Sequence, residues 1–226
     1  MIPYRGGGFF TSLPPVIKNL VIINALMLLI TFFTGNCMYE KFSLFYFESE
    51  FFRPYQFVTH MFMHGNFIHL FFNMYSLIIF GVVLEHVWGS QKFFLYYMVT
   101  GLGAAALHSL VLYFDYTSQV AAFEAGNQYA LQNIQNLLMT PTVGASGAVY
   151  GVLLAYGMLF PNNVLQLIFP PVALKAKWFV LIFGGIELLL GVSNTGGNIA
   201  HFAHLGGMLF GFFLIRYWKK NNKMYF

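Results

Sequence analysis

GASGAVYGVLLAYGMLFP, residues 144–161, is an apolar run that is short for a membrane span. At 1.5 Å per residue a helix over it rises about 25 Å, whereas the hydrocarbon core of a bilayer is about 30 Å thick. If the run crosses a membrane, the residues at its start, Ser146 among them, sit below one surface. Gly144, Ala145, Gly147 and Gly151 give it a face of small residues on which another helix can pack closely.

The rest of the chain supplies the membrane. Of 226 residues, 58% are hydrophobic, 20% aromatic and only 8% charged, and the mean hydropathy is +0.67. A soluble domain carries about 25% charged residues. Eleven Lys/Arg and seven Asp/Glu are too few to solvate the surface of such a chain. A water-soluble enzyme, a disordered chain and a fibrous repeat are excluded, and an integral membrane protein follows. The net charge of +4 does not point to nucleic acid, because the basic residues lie between apolar runs, where membrane topology accounts for them. A single cysteine, Cys37, rules out an intramolecular disulfide and a Cys-rich metal site. Met1–Pro15 lacks the basic, apolar and small-residue regions of a cleaved leader, so the first span is expected to be retained.

Apolar runs predict an all-α bundle of six membrane helices in a single domain, 1–226. The spans fall at about 16–34, 67–87, 93–114, 145–160, 175–193 and 200–218. Arg5, Lys18, Lys92, Lys175, Lys177, Arg216, Lys219, Lys220 and Lys223 fall on one side of this arrangement. Only Lys41 and Arg53 fall on the other, which puts both termini in the cytoplasm. Two outer connections result. Gly35 to Asn66 holds an aromatic and acidic stretch, Tyr39–Phe52, suited to the membrane interface. Asp115 to Val143 is rich in amides and is expected to be a loop with one short amphipathic piece near Ala130–Met139.

Polar side chains inside spans are unfavourable unless they face a cavity or each other. Here three segments bring theirs to the same leaflet. The second helix has His69 and Asn73 one turn apart, the fourth has Ser146 and Tyr150, and the sixth has His201 and His204 ahead of Gly207 and Gly211. This set permits acyl transfer. Serine is a weak nucleophile that needs an adjacent base, and a helix start supplies unpaired N–H groups for an oxyanion. Taken alone, residues 144–151 are also an ordinary packing face, and a lone intramembrane histidine is as often structural as catalytic. The conjunction in one leaflet favours catalysis. Competing chemistries lack their residues. There is no His-Glu-x-x-His, Asp115 is the sole aspartate, and no lysine sits in an outer half-span. His60, His64 and His69 have no acidic companion nearby, so neither metal nor cofactor is expected.

These residues resemble the rhomboid intramembrane serine proteases. The resemblance runs from the first span to Gly211. It rests on Gly144-Ala145-Ser146-Gly147 with Tyr150, Ala203-His204-Leu205-Gly206-Gly207 with Gly211, His60-x-x-x-His64, His69-x-x-x-Asn73 and Glu85-x-x-x-Gly89-Ser90. It implies a Ser146–His204 dyad with Tyr150 packed on the His204 ring. His69, Asn73 and the Ser146 N–H would form the oxyanion hole, with Gly144 and Gly147 supporting the dyad and Gly151, Gly207 and Gly211 packing helices. Phe179, Phe183 and residues 193–198 would form a gate and cap. Transmembrane proteins would be the substrates, with lipids the other partners, and the bare core suggests a bacterial inner membrane. The rival readings are a client-binding pseudoenzyme of the same fold and a small channel or transporter. The channel would need polar residues in both leaflets.

The chain departs from the family pattern in places. Tyr55-Gln56 stands where many members carry Trp-Arg, with Arg53 as a nearby substitute. His201 is expected at the cavity rim. Glu187, inside the fifth helix, is expected to be a protonated carboxyl bonded to a neighbouring helix, and Asn24 to bond between helices. His60 and His64 are expected to tie the first connection to the second helix.

Overall fold

The structure, a computed structural model, describes residues 12–166, 171–193 and 198–221. Helix α1, Pro15–Thr34, opens with proline at its first turn, where no N–H is needed. The next two amides are met from far along the chain. Val16 N donates to Oε1 of Glu85 and Ile17 N to Oε2, both at 2.9 Å. Ser90 Oγ donates to Oε1 at 2.7 Å. Glu85 is 2% exposed. It is the acidic cap of a helix N-terminus whose own sequence carries no acid. Asn24, by contrast, donates to Leu20 O of its own helix at 2.7 Å. The interhelical bond expected of it is absent among the described residues.

The first connection is ordered by one amide. It holds α2, Asn36–Phe42, and α3, Gln56–Thr59, followed by a 3-10 turn, His60–Phe62. Gln56 is fully buried. Its Nε2 donates to the carbonyls of Phe51 (2.9 Å), Glu40 and Lys41, and its Oε1 accepts from Arg53 N at 3.1 Å. Arg53 itself caps the exposed carbonyls of Glu50 and Phe52.

Helix α4, Phe67–Trp88, starts on an Asn66 cap whose side chain accepts from His69 N, and contains a π turn over Leu77–Gly81. Gly89, at φ 76°, turns the chain directly into α5, Ser90–Glu124. At 35 residues this helix is about 53 Å long and outruns the predicted span. Asp115–Glu124, expected as loop, is its last part. Helix α6, Tyr129–Met139, folds back on it. Asn133 Nδ2 donates to Gln119 Oε1 at 3.0 Å, and Gln119 donates to Asp115. The amides that suggested a loop thus join two helices.

Helix α7, Ser146–Leu159, is followed by a small antiparallel hairpin, β1 Val164–Gln166 with β2 Ala173–Lys175, in register Leu165 opposite Leu174. Three-residue strands leave too little alternation to be read from sequence. Helices α8, Ala176–Val192, and α9, Asn198–Lys220, complete the chain.

Helix α7 is the buried centre. Gly147, Ala148, Val149, Gly151, Val152, Leu153, Ala155 and Tyr156 are all covered. Small residues set its spacing to its neighbours. A Cβ on Gly207 would run into the Gly147 carbonyl, one on Gly147 into Ala104, and one on Gly151 would lie 2.5 Å from Thr100 Cβ. Gly211 lies against Tyr96 and Thr100, and Tyr96 donates to Gly151 O at 2.8 Å. Such contact, rather than hydrophobic burial, holds helices together in lipid. Outward faces are apolar and exposed, as on α1 (Ile22, Leu26, Leu29) and α8 (Leu181, Leu188, Leu189). Among the described residues α1, α4 and α5 are each long and apolar enough to cross a membrane, and α7 is a shorter apolar helix.

Candidate active site

Ser146 is the first residue of α7, and the segment ahead of it is held from three directions. Thr142 pairs with Leu44 of the first connection by two backbone bonds of 2.8 and 2.9 Å. Its hydroxyl lies 2.6 Å from His108 Nε2 on α5. Gly144 N donates to His60 O at 3.0 Å. Gly144 has φ +127°, a conformation that L side chains rarely adopt, and a Cβ there would stand 2.9 Å from Nε2 of His69 and 3.7 Å from Ser146 Oγ. The imidazole of His69 therefore edges the space beside the serine.

The close approach of α9 to α7 at Gly207 and Gly147 brings His204, one turn earlier, to the serine. Its Nε2 lies 2.8 Å from Ser146 Oγ. The Tyr150 ring lies parallel to the imidazole, 4.3 Å away with 7° between the planes. A parallel ring on one face fixes the plane of the His204 imidazole, in which Nε2 meets the serine and Nδ1 points away.

What Nδ1 meets is Glu187 of α8, at 3.0 Å from Oε2. The alignment at Nδ1 is poor for a hydrogen bond, so the contact is electrostatic. The same oxygen lies 2.7 Å from Nδ1 of His201. The other oxygen, Oε1, accepts from the Tyr150 hydroxyl. Glu187 is buried and meets Tyr150 of α7 and both histidines of α9, so the bond to a neighbouring helix expected from sequence is made to two of them. His201 turns to this carboxylate instead of standing free at a rim.

The expected oxyanion residues are placed unequally. His69 borders the serine, whereas the buried Asn73 donates Nδ2 to His69 O at 3.0 Å, along its own helix. The Ser146 N–H belongs to the first turn of α7, where no intrahelical acceptor exists. His60 is bonded through Nδ1 to Gln56 O at 2.9 Å. Among the described residues both ring nitrogens of His64 lack a hydrogen-bond partner, and its ring sits 5.0 Å from that of His69. His64 takes part in the first connection through its backbone, whose carbonyl accepts from Tyr39 OH. Burial holds both His60 and His64 down at about 4, so both are neutral near pH 7.

A cavity of about 50 Å³ borders Ser146 and His204 and reaches His60, His108 and Gly144. It shares His108, Thr142, Val143 and Ala200 with a larger cleft of about 650 Å³ that runs along the α5–α6 hairpin past Asp115 and Asn136. Glu187, His201 and His204 also form a group of potential metal donors, all within 4.8 Å of one another. The three are already engaged with each other. The Phe179 and Phe183 rings lie 4.3 Å apart on α8, tilted by 34°. Residues 194–197 of the expected cap lie outside the described residues. The sequence carries no sign of the bonds that Gln56, Thr142 and His108 make. Amides, hydroxyls and neutral imidazoles at loop edges carry no periodic signal.

The profile of the Rhomboid domain matches residues 52–220. A RHOMBOID-like protein 6, mitochondrial, of Arabidopsis thaliana is 30% identical over 70% of this chain and 41% of its own length. Rhomboid-like protein 11, chloroplastic, of the same plant is 33% identical over 71% of this chain and 51% of its own. Rhomboid protease AarA of Providencia stuartii is 27% identical over 67% of this chain and 51% of its own. The chain spans about a third to a half of the length of the curated relatives it matches. The profile match, from Phe52 in the first connection to Lys220 at the end of α9, takes in the serine, the histidine and the packing that joins them, and the chain belongs to the rhomboid family.

Proposed function

We propose that this protein is an intramembrane serine endopeptidase that cleaves transmembrane proteins. The observation that carries the reading is the 2.8 Å approach of His204 Nε2 to Ser146 Oγ. In the first step Oγ attacks the scissile carbonyl carbon and its proton passes to Nε2. The oxyanion forms beside the Ser146 N–H and the His69 ring, with Asn73 as a further donor once its amide rotates off His69 O. Collapse breaks the C–N bond, and His204 returns the proton to the leaving amine. Water then repeats the sequence on the acyl-enzyme, with His204 again as base. No metal or cofactor takes part in these steps.

Six crossings, with α7, α8 and α9 as the last three, follow from the apolar runs, and the distribution of Lys/Arg places both termini in the cytoplasm. Cleavage then occurs near the outer face, where the short α7 starts beneath the surface and the cleft beside α6 admits water. The relatives carry mitochondrial and chloroplastic names as well as a bacterial one, so the membrane in question is left to the source of the chain.

The test is cleavage of a single-span protein by purified wild type and Ser146→Ala in proteoliposomes. Cleavage by wild type alone supports the reading. Equal cleavage by both removes Ser146 as nucleophile. Binding without cleavage by either form indicates a client-binding pseudoenzyme.

A further inference from the structure

The hydrogen-bonding of His204 is unequal at its two ends. Nε2 has Ser146, and the far nitrogen faces a single anionic group, Glu187, which arrives from a different helix. We infer that Glu187 is a positioning carboxylate that extends the Ser146–His204 pair to a three-membered Ser–His–Glu constellation. This deepens the proposed protease reading and rests on it.

Two contacts made by one carboxylate carry the inference. Oε2 stands 3.0 Å from Nδ1 of His204, which favours the tautomer with its proton on Nδ1 and leaves Nε2 free to take the serine proton. Oε1 accepts the hydroxyl of Tyr150, whose ring lies 4.3 Å from the imidazole and parallel to it. Glu187 thus fixes the ring plane through Tyr150 and the tautomer through Nδ1. When Nε2 takes the proton from Ser146, the imidazolium that forms has a full negative charge beside it in a site away from bulk water, where such a pairing is strong. The proton on Nδ1 stays there throughout, so Glu187 gains and loses nothing.

The remaining polar groups around the imidazole do not substitute for this charge. His69 faces from α4 and carries no negative charge, Tyr150 faces from α7 as a hydroxyl donor, and His201 shares α9 and donates to the same Oε2 at 2.7 Å. His201 holds Oε2 in line, so that the carboxylate is braced by a second imidazole. Glu187 is also the one acid in helix α8, and its side chain links α8 to both α7 and α9. Two hydrogen bonds and one electrostatic contact give an acid inside an apolar helix a reason to be there.

The experiment compares wild type, Glu187→Asp, Glu187→Gln and Glu187→Leu in the proteoliposome assay, with Ser146→Ala alongside. Glutamine keeps an acceptor and the shape but loses the charge, leucine loses both, and aspartate keeps the charge on a shorter stem. Expected is a kcat that falls in the order wild type, Asp, Gln, Leu. Gln should be down about 10-fold and Leu about 100-fold, with KM within about twofold. Histidine 15N resonances, assigned with His204→Gln, should show a proton on Nδ1 of His204 in wild type and a mixture of tautomers in Glu187→Leu. A Glu187→Gln protein with wild-type kcat overturns the inference. So does a loss of kcat that tracks only the folded fraction, read from the thermal midpoint, with no rescue by aspartate. If Ser146→Ala cleaves like wild type, the protease reading itself fails. If it is inactive while the Glu187 variants are unimpaired, only the role of Glu187 does.

Discussion

The carbonyl of Gly147 occupies the place that a side chain on Gly207 would need. The approach of α9 to α7, and with it the distance from Ser146 to His204, therefore depends on the absent Cβ of Gly207. Overpacking here is relieved only by moving α9 outward, since the obstructing atom is backbone. Gly207→Ala is expected to lower stability by about 2 kcal/mol and to abolish cleavage. Thermal unfolding and single-span cleavage measured on the same preparation check both. An active Gly207→Ala protein would mean that the helices tolerate the separation.

Gly144 makes a different demand, on conformation and on His69 together. At φ +127° alanine is strained, and its Cβ would meet the imidazole at 2.9 Å. Gly144→Ala is expected to cut kcat by about 100-fold while the protein still folds, because the obstruction is a side chain that can shift. Steady-state cleavage with a circular dichroism control separates the two effects.

Glu85 lies at the opposite end of the bundle from the serine and should act on stability alone. Glu85→Ala leaves the amides of Val16 and Ile17 buried without acceptors and is expected to destabilise by about 2 kcal/mol. Turnover per folded molecule should be unchanged. A thermal midpoint equal to wild type would show that water replaces the carboxylate without loss.

Acid should weaken the first connection before it affects the helices. His60 and His64 are held down at about 4, against about 6.5 for a free imidazole. Between these values the unfolded chain binds more protons than the folded one, so stability falls as pH drops from about 6.5 to 4 and is fully present above that range. Limited proteolysis between residues 36 and 55 as a function of pH should show cutting rise over this window. His60→Asn and His64→Asn should flatten the response. Equal cutting at pH 7 and pH 4.5 would count against the account.

Helix positions were legible because an apolar run in a chain with few charges has few alternatives. Ser146, His204, Tyr150 and Gly207 were legible through spacing within single helices and through family resemblance. Glu85, Gln56 and Thr142 were not. Each meets groups outside its own element, and nothing local distinguishes a glutamine that ties together a whole connection from one facing solvent. The extension of α5 to Glu124 was hidden by composition, since the amides that bond α5 to α6 have the same residue types as a loop. Glu187 drew attention as an acid in an apolar helix, but its partners depend on how three helices meet.

The Leu44–Thr142 bridge also constrains how the protein is made. Its two halves leave the ribosome about a hundred residues apart, or about 5–20 s at ordinary rates of synthesis. During that interval the first connection has Gln56 to organise it but no partner for its edge. The segment that leads into Ser146 is what closes it. Until then the chain has His60, His64 and His69 but neither member of the proposed Ser146–His204 pair, so the proposed chemistry waits for the last helix.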